Sequence, residues 1–329
     1  MNPRRFRIFF YLFILLSFSS YGYAVEKIPV FVSIIPQKYF VQQIGKDLVD
    51  VQVMVQPGAS PATYEPRPRQ MMALSKAAVY FSIGVPFEKS WLDKIAAANP
   101  DMKVVATDHG IEKLPMAGHH HHGEHGHDQA DEMHHEGRHD HHGGKHDHHE
   151  DLDRAKKDPG EGHHHAQKGL DPHIWLSPPL VKSQARTIMT ALQAADPAHR
   201  SVYKANYQHF VGTIDKLDTQ LKQTFINRQG FQFMVFHPAW GYFAHAYGIS
   251  QVPVEIEGKD PKPEQLQHLI EHARKSKINV IFVQPQFSTK SAEQIARAIN
   301  GQVIPADPLA EDWSANLLMV AEKFKAALR

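Results

Sequence analysis

The sequence has 329 residues, a formal net charge of +1 from 36 basic and 35 acidic residues, and no cysteine. The balanced charge, with no stretch that interleaves basic and aromatic residues, excludes a nucleic-acid-binding protein. With 42 % hydrophobic residues the chain can form one large domain or two smaller ones, without disulfides or a lipid-modified cysteine.

The N-terminus has the pattern of a secretory signal peptide. Arginines within residues 4–7 precede an apolar run at residues 8–16, and small residues end at Ala24. The apolar run is shorter than the roughly 20 residues of a spanning helix, which disfavours a retained membrane anchor. We expect residues 1–24 to be removed after Ala24 and the mature protein to be periplasmic.

Residues 25–177 are predicted to form an N-terminal lobe in which strands and helices alternate. This alternation favours a mostly parallel sheet with helices on its faces. The second predicted helix is expected to turn Met71, Met72 and Leu74 inward. The strands are predicted at residues 28–35, 49–55, 78–83 and 104–105, and the helices around residues 39–45, 67–76 and 91–96.

A histidine-rich insertion at residues 119–165 interrupts this lobe. Its other residues are mainly Gly, Asp, Glu and Lys, so it cannot bury enough apolar surface to order itself, and we predict disorder. Neutral imidazoles with nearby carboxylates bind divalent metals, whereas an expression tag would be terminal and uninterrupted, and a plain solvated linker is the other alternative. The insertion holds 17 of the 25 histidines, which we predict to be accessory metal ligands: His119, His120, His121, His122, His125, His127, His134, His135, His139, His141, His142, His146, His148, His149, His163, His164 and His165.

Residues 178–230 are predicted to be connecting helices. Apolar residues recur at spacings of three and four from Tyr203 to Phe225, which indicates one long amphipathic helix, with Gly230 as its left-handed cap. We interpret it as a spine between two lobes. A coiled-coil dimer arm is the alternative, but the apolar seam is short and rich in aromatic residues.

Residues 231–329 repeat the pattern of the first lobe and are predicted to form a similar C-terminal one. Ligands of such α/β folds lie at the carboxyl ends of the strands. The strands are predicted at residues 231–236, 252–256, 280–283 and 302–304, and the helices around residues 242–246, 263–273, 288–299 and 313–328, with Pro263 at the first helical position.

Three polar residues stand where such a ligand would bind. His237 and Asp307 each follow a predicted strand and precede a proline, and His173 lies between Pro172 and Trp175. Two imidazoles and one carboxylate suit Zn²⁺ better than Mn²⁺. Each signal alone is weak, since strand-end histidines and Asp-Pro pairs are often structural. Their combination with the histidine-rich insertion predicts a metal site.

The motifs at these positions resemble those of the zinc/manganese substrate-binding proteins of ABC importers, the ZnuA-like family. The resemblance spans the mature chain and rests on residues 57–66, 173–178, 236–244 and 307–309. It implies two α/β lobes joined by the spine helix, a metal site in the interlobe cleft, and delivery of zinc, or of another divalent ion such as Mn²⁺, to a membrane permease. It also implies that His173, His237 and Asp307 are metal ligands.

Three positions of this chain differ from residues found in the family. Ala62 stands where the family usually has its first histidine ligand, Pro61 where some members have Glu, and Gln284 where some carry an acid. The site is therefore expected to hold three protein ligands, with water or a histidine of the insertion as the fourth.

Two other functions fit parts of the pattern. A zinc hydrolase needs a general base near the metal; we find no H-E-x-x-H motif and expect Glu255 and Glu257 not to pair with the histidines. A periplasmic metal buffer without a permease would hold most of its metal on the insertion. We expect a monomeric, non-enzymatic binding protein.

Overall fold

The computed structural model describes residues 26–116, 169–256 and 258–328. They form two lobes, each built on a four-stranded parallel sheet, with strand orders β2-β1-β3-β4 and β6-β5-β7-β8. The two orders are the same topology used twice, which confirms the predicted fold class. The strands are β1 (Ile28–Val32), β2 (Val49–Val53), β3 (Val79–Ser82), β4 (Lys103–Ala106), β5 (Gln232–Val235), β6 (Ser250–Pro253), β7 (Val280–Val283) and β8 (Gln302–Pro305).

Helices cross between successive strands, as parallel pairing requires. Strands β3 and β7 are buried along their whole length, which is why their sequences are mostly apolar and do not alternate with polar residues. The helices are α1 (Ile35–Gly45), α2 (Pro68–Leu74), α3 (Glu88–Ala98), α4 (Pro178–Ala195), α5 (Arg200–Thr224), α6 (Gly241–Tyr247), α7 (Pro263–Lys275), α8 (Lys290–Ala298) and α9 (Trp313–Ala327).

The long helix α5 is the predicted spine. It packs against α1 of the first lobe, α4, and the C-terminal helix α9, and it buries an apolar stripe that includes Phe210, Ile214 and Leu221. One continuous core joins the first lobe, this spine and the inner face of the second sheet. The lobes are therefore held together by packed side chains as well as by the chain itself.

Gly230 is not the cap of α5, contrary to prediction. The helix ends at Thr224. Gly230 does adopt a left-handed φ of +79°, but in the following turn, where its N–H donates to the Gly248 carbonyl at 2.7 Å.

Two other expectations need correction. Met72 is 67 % exposed while Leu74 is fully buried, because α2 turns only one side toward the sheet. The strand predicted at residues 252–256 is Ser250–Pro253. Beyond it, the amide of Glu255 donates to the Phe236 carbonyl at 3.0 Å, which brings the Glu255 side chain to the end of β5.

The two chain segments that flank the insertion lie side by side in the first lobe. Pro115 and Leu170 form an antiparallel bridge, and the Asp171 amide donates to the Leu114 carbonyl at 2.8 Å. The predicted signal peptide and histidine-rich tract lie outside the described residues. Within the described ranges, no helix has both the length and the apolar character needed to cross a membrane.

Candidate metal centre

His173 lies at the start of a short 3-10 turn, Ile174–Leu176, and is 8 % exposed. Asp171 holds its ring: one carboxylate oxygen accepts from the His173 amide at 2.9 Å and contacts Nδ1 at 2.6 Å. Because a carboxylate only accepts hydrogen bonds, Nδ1 carries the proton. The lone pair of Nε2 is therefore free for a metal.

His237 follows β5 in the second lobe and is held in the same way. Its Nδ1 contacts Glu255 Oε1 at 2.7 Å, so here too the proton lies on Nδ1. Gln284 fixes the backbone, accepting from the His237 amide at 3.1 Å and donating to its carbonyl at 2.7 Å. Phe287 stacks on the ring, with centroids 4.7 Å apart.

The two imidazoles meet across the interlobe cleft. Their Nε2 atoms are 3.4 Å apart. Two nitrogens bound to one tetrahedral zinc ion at about 2.0–2.1 Å are separated by about 3.3–3.4 Å. The pair already has the spacing of two zinc ligands.

Burial lowers the pKa of His173 below its ordinary value, and the nearby Asp171 carboxylate opposes this only in part. The low pKa keeps the imidazole neutral at physiological pH. A neutral imidazole is the form that binds a metal.

The wall of the cleft is mostly apolar. Ser60, Pro61 and Ala62 line it from the first lobe, together with Trp175, and Gln286 and Phe287 line it from the second. Ala62 and Thr63 are both exposed, but only Ala62 lines the cavity.

Asp307 is not a lining residue of the cavity, but it contacts the lining residue Gln286. One of its oxygens accepts from Gln286 Nε2 at 3.1 Å and from the Leu309 amide at 2.9 Å. Across residues 26–116, 169–256 and 258–328, no group of three His, Cys, Asp or Glu side chains is arranged to hold a metal. The structure brings together two of the three predicted ligands, and the role of Asp307 stays a prediction.

The hydrogen-bond partners of the two histidines were not predicted from the sequence. Glu255 does pair with His237, contrary to expectation, because β6 ends earlier than predicted. Glu257 and the 17 histidines of the insertion lie outside the described residues. Asp171 stands two residues before His173 in the Asp-Pro-His motif, and this spacing was the available signal for an Asp side chain folding back on the imidazole.

Two tryptophans connect the lobes beside the site. Trp175, whose ring centroid is 5.0 Å from that of His173, donates from Nε1 to the Pro308 carbonyl at 2.8 Å. Trp313 donates to the Trp175 carbonyl at 2.7 Å. These bonds fix the distance between the His173 segment and the Asp307 loop.

Comparisons with known proteins identify the family to which this chain is similar. A family model described as zinc-uptake complex component A, periplasmic (ZnuA), matches residues 30–327. The chain is 28 % identical to the high-affinity zinc uptake system protein ZnuA of Yersinia pestis, over 85 % of this chain and 82 % of that protein. It is 24 % identical, over 87 % of its length, to the zinc-binding protein AdcA of Streptococcus pyogenes, of which it spans about half, 51 %. A crystal structure of a ZnuA aligns with a TM-score of 0.76 and 38 % identity, covering 92 % of this chain and 100 % of that one.

The lowered pKa of His173 predicts a loss of stability in acid. Below about pH 6.5 the unfolded chain protonates this histidine while the folded chain does not. The unfolded state then binds more protons, so the free energy of unfolding falls as pH drops from about 6.5 through the folded pKa. Urea unfolding of the metal-free protein at pH 7.5, 6 and 5 measures this, and His173→Gln should show a shallower dependence. Equal pH dependence of the two proteins would contradict the prediction.

The carboxylates behind the histidines should matter for metal affinity. Asp171→Asn and Glu255→Gln keep the shape but remove the charge that makes each imidazole a better ligand, so zinc affinity should fall about 10- to 100-fold for each. Competition with a chelator measures it. Asp215→Asn, which alters a surface carboxylate paired with Lys182, is the control. Wild-type affinity in both site variants would exclude this role.

Proposed function

Because the chain belongs to the ZnuA family of periplasmic zinc-uptake components, we propose that it captures zinc in its interlobe cleft and delivers it to an ABC-type importer. The zinc is cargo, held by the protein and then passed to a membrane permease. The family is one of metal-binding transport components, and we further propose that the chain has no enzymatic activity.

The observation that carries this proposal is the pair of imidazole nitrogens 3.4 Å apart. Both Nδ1 atoms donate to carboxylates, so two lone pairs face one point between the lobes. A divalent cation that prefers nitrogen ligands satisfies both of them.

We propose His173, His237 and Asp307 as the metal ligands. Asp307 follows β8, and its second carboxylate oxygen takes part in neither of the two hydrogen bonds above. Two nitrogens and one carboxylate favour zinc, while Mn²⁺ would require more oxygen donors.

The residues of this site favour a binding protein over the alternative function of a zinc hydrolase. Glu255, the carboxylate nearest the pair along the second lobe, accepts a hydrogen bond from His237 Nδ1 and is 6 % exposed. It orients a ligand and is not free to activate a water. A binding role needs no general base.

We propose the remaining features from the sequence. The chain acts in the periplasm as a monomer after removal of residues 1–24, with lobes at residues 25–177 and 231–329 and connecting helices at residues 178–230. The histidines of the insertion collect metal near the cleft, because Met116, beside the point where the insertion starts, lines the same cavity as His173.

The first test separates the insertion from the cleft. Deleting residues 119–165 should reduce zinc stoichiometry to about one and keep the tight phase, since a segment that must order itself binds each ion more weakly. The double variant His173→Ala, His237→Ala in the full chain should instead lose the tight phase and keep the weaker binding of the insertion. Metal analysis with chelator competition measures both. Loss of the tight phase on deletion would favour a metal buffer in which the insertion holds the ion.

The second test uses Ala62. Ala62→His would add a nitrogen ligand from the first lobe at the cavity wall, on a loop stiffened by Pro61 and Pro66. We expect zinc affinity to rise about tenfold or more, about 1.4 kcal/mol. Chelator competition in the chain without residues 119–165 measures it. Thr63→His, exposed and one residue further on, should change nothing, and equal effects of the two variants would exclude a site-specific role.

A further inference from the structure

Gln286 has a polar atom that its surroundings do not satisfy. Its side chain lines the cleft together with His173 and His237. Nε2 donates to Asp307 at 3.1 Å, but Oε1 is buried and receives no hydrogen bond from any residue the structure describes. A buried acceptor without a donor costs free energy, so the site implies a partner for this oxygen.

The orientation of this carboxamide follows from its neighbour. Asp307 presents carboxylate oxygens, which only accept, so the amide nitrogen must face Asp307 and the oxygen must face away from it. The hydrogen bond also increases the negative charge on Oε1, because donation through the nitrogen polarises the amide.

The topology of the second sheet explains the position of Gln286. Strand β7 lies between β5 and β8, so the loop after β7 emerges between His237, which follows β5, and Asp307, which follows β8. This loop is also held firmly. The Phe287 amide donates to the Gln284 carbonyl at 3.2 Å, and Phe287 stacks on His237. Gln286 is thus placed beside the metal position before any ion arrives.

We propose that the Gln286 carboxamide oxygen is a metal ligand that takes the coordination position left open by Ala62. The inference rests on the proposed function, since it adds a donor to the same cleft. The bound ion would then have two imidazole nitrogens, a carboxylate oxygen from Asp307 and an amide oxygen from Gln286. Asp307 would serve twice, as a ligand and as the acceptor that orients the amide.

The decisive variant is Gln286→Glu. If Gln286 is a ligand, a charged oxygen at the same place binds zinc more tightly, and we expect an increase of about tenfold. In either role the new carboxylate cannot donate to Asp307 and repels it. Direct coordination of the ion outweighs this loss only if residue 286 reaches the ion, so affinity falls if Gln286 is not a ligand. Chelator competition with zinc on the full chain measures the tight phase, and the opposite signs separate the two roles.

A second variant keeps both the charge and the hydrogen bond. Combining Gln286→Glu with Asp307→Asn moves the carboxylate from one side of the bond to the other, with the asparagine amide as donor. We expect this double variant to bind zinc more than about tenfold better than Asp307→Asn alone. Equal affinity of the double variant and Asp307→Asn would overturn the proposal, as would wild-type affinity in Gln286→Leu.

Three controls make the outcome specific. Ser288→Glu adds the same charge at an exposed position two residues along and should leave affinity unchanged. Thermal unfolding of each zinc-free variant verifies folding. Cobalt(II) gives a readout besides affinity, since its visible absorption should shift in Gln286→Glu when the ligand changes.

Failure of this inference can be told apart from failure of the proposed function. If the variant His173→Ala, His237→Ala loses the tight phase while every Gln286 variant binds as wild type, the cleft site stands and Gln286 is not a ligand. If the histidine variant keeps the tight phase, the cleft is not the zinc site and both proposals fail.

Discussion

Two imidazole Nε2 atoms that carry lone pairs lie 3.4 Å apart, and this spacing is the constraint on which the site depends. The lone pairs repel each other unless a shared partner lies between them, and the spacing persists because each ring is held from behind. Asp171 and Glu255 fix the tautomers by accepting from Nδ1, which leaves both Nε2 atoms as acceptors. The two imidazoles are thus held at the spacing of zinc ligands by the protein itself, so they need little rearrangement to bind an ion.

This constraint reaches through both lobes, because the two histidines belong to different ones. His173 precedes helix α4 and His237 follows strand β5, so their separation depends on the angle between the sheets. The continuous core through α5 sets that angle, and the hydrogen bonds of Trp175 and Trp313 refine it beside the site. Packing contacts far from the cleft therefore determine a distance of a few ångströms within it.

Much of the fold was predictable because it follows from local rules. Apolar runs such as Val280–Val283 identify the buried strands, and Pro263 marks the start of α7. Met72, the cap at Gly230 and the limits of β6 were not, since they depend on which face a helix turns to the sheet and on strand register. His173 and His237 stood out by position, whereas Gln286 did not: a glutamine after a strand has no distinctive signal until the fold sets it between His237 and Asp307.

On the proposed ligand set, the lobes share the ion unequally. His237, Asp307 and Gln286 all follow strands of the second sheet, and His173 alone comes from the first lobe's side, because Ala62 has no donor to offer. Any widening of the cleft then breaks one metal–ligand bond, the one to His173. With a histidine ligand at position 62, the same movement would have to break two bonds. The ion would stay with the second lobe as the first withdraws. With alanine rather than histidine at position 62, this ligand set makes release of the ion from the first lobe depend on the single bond to His173.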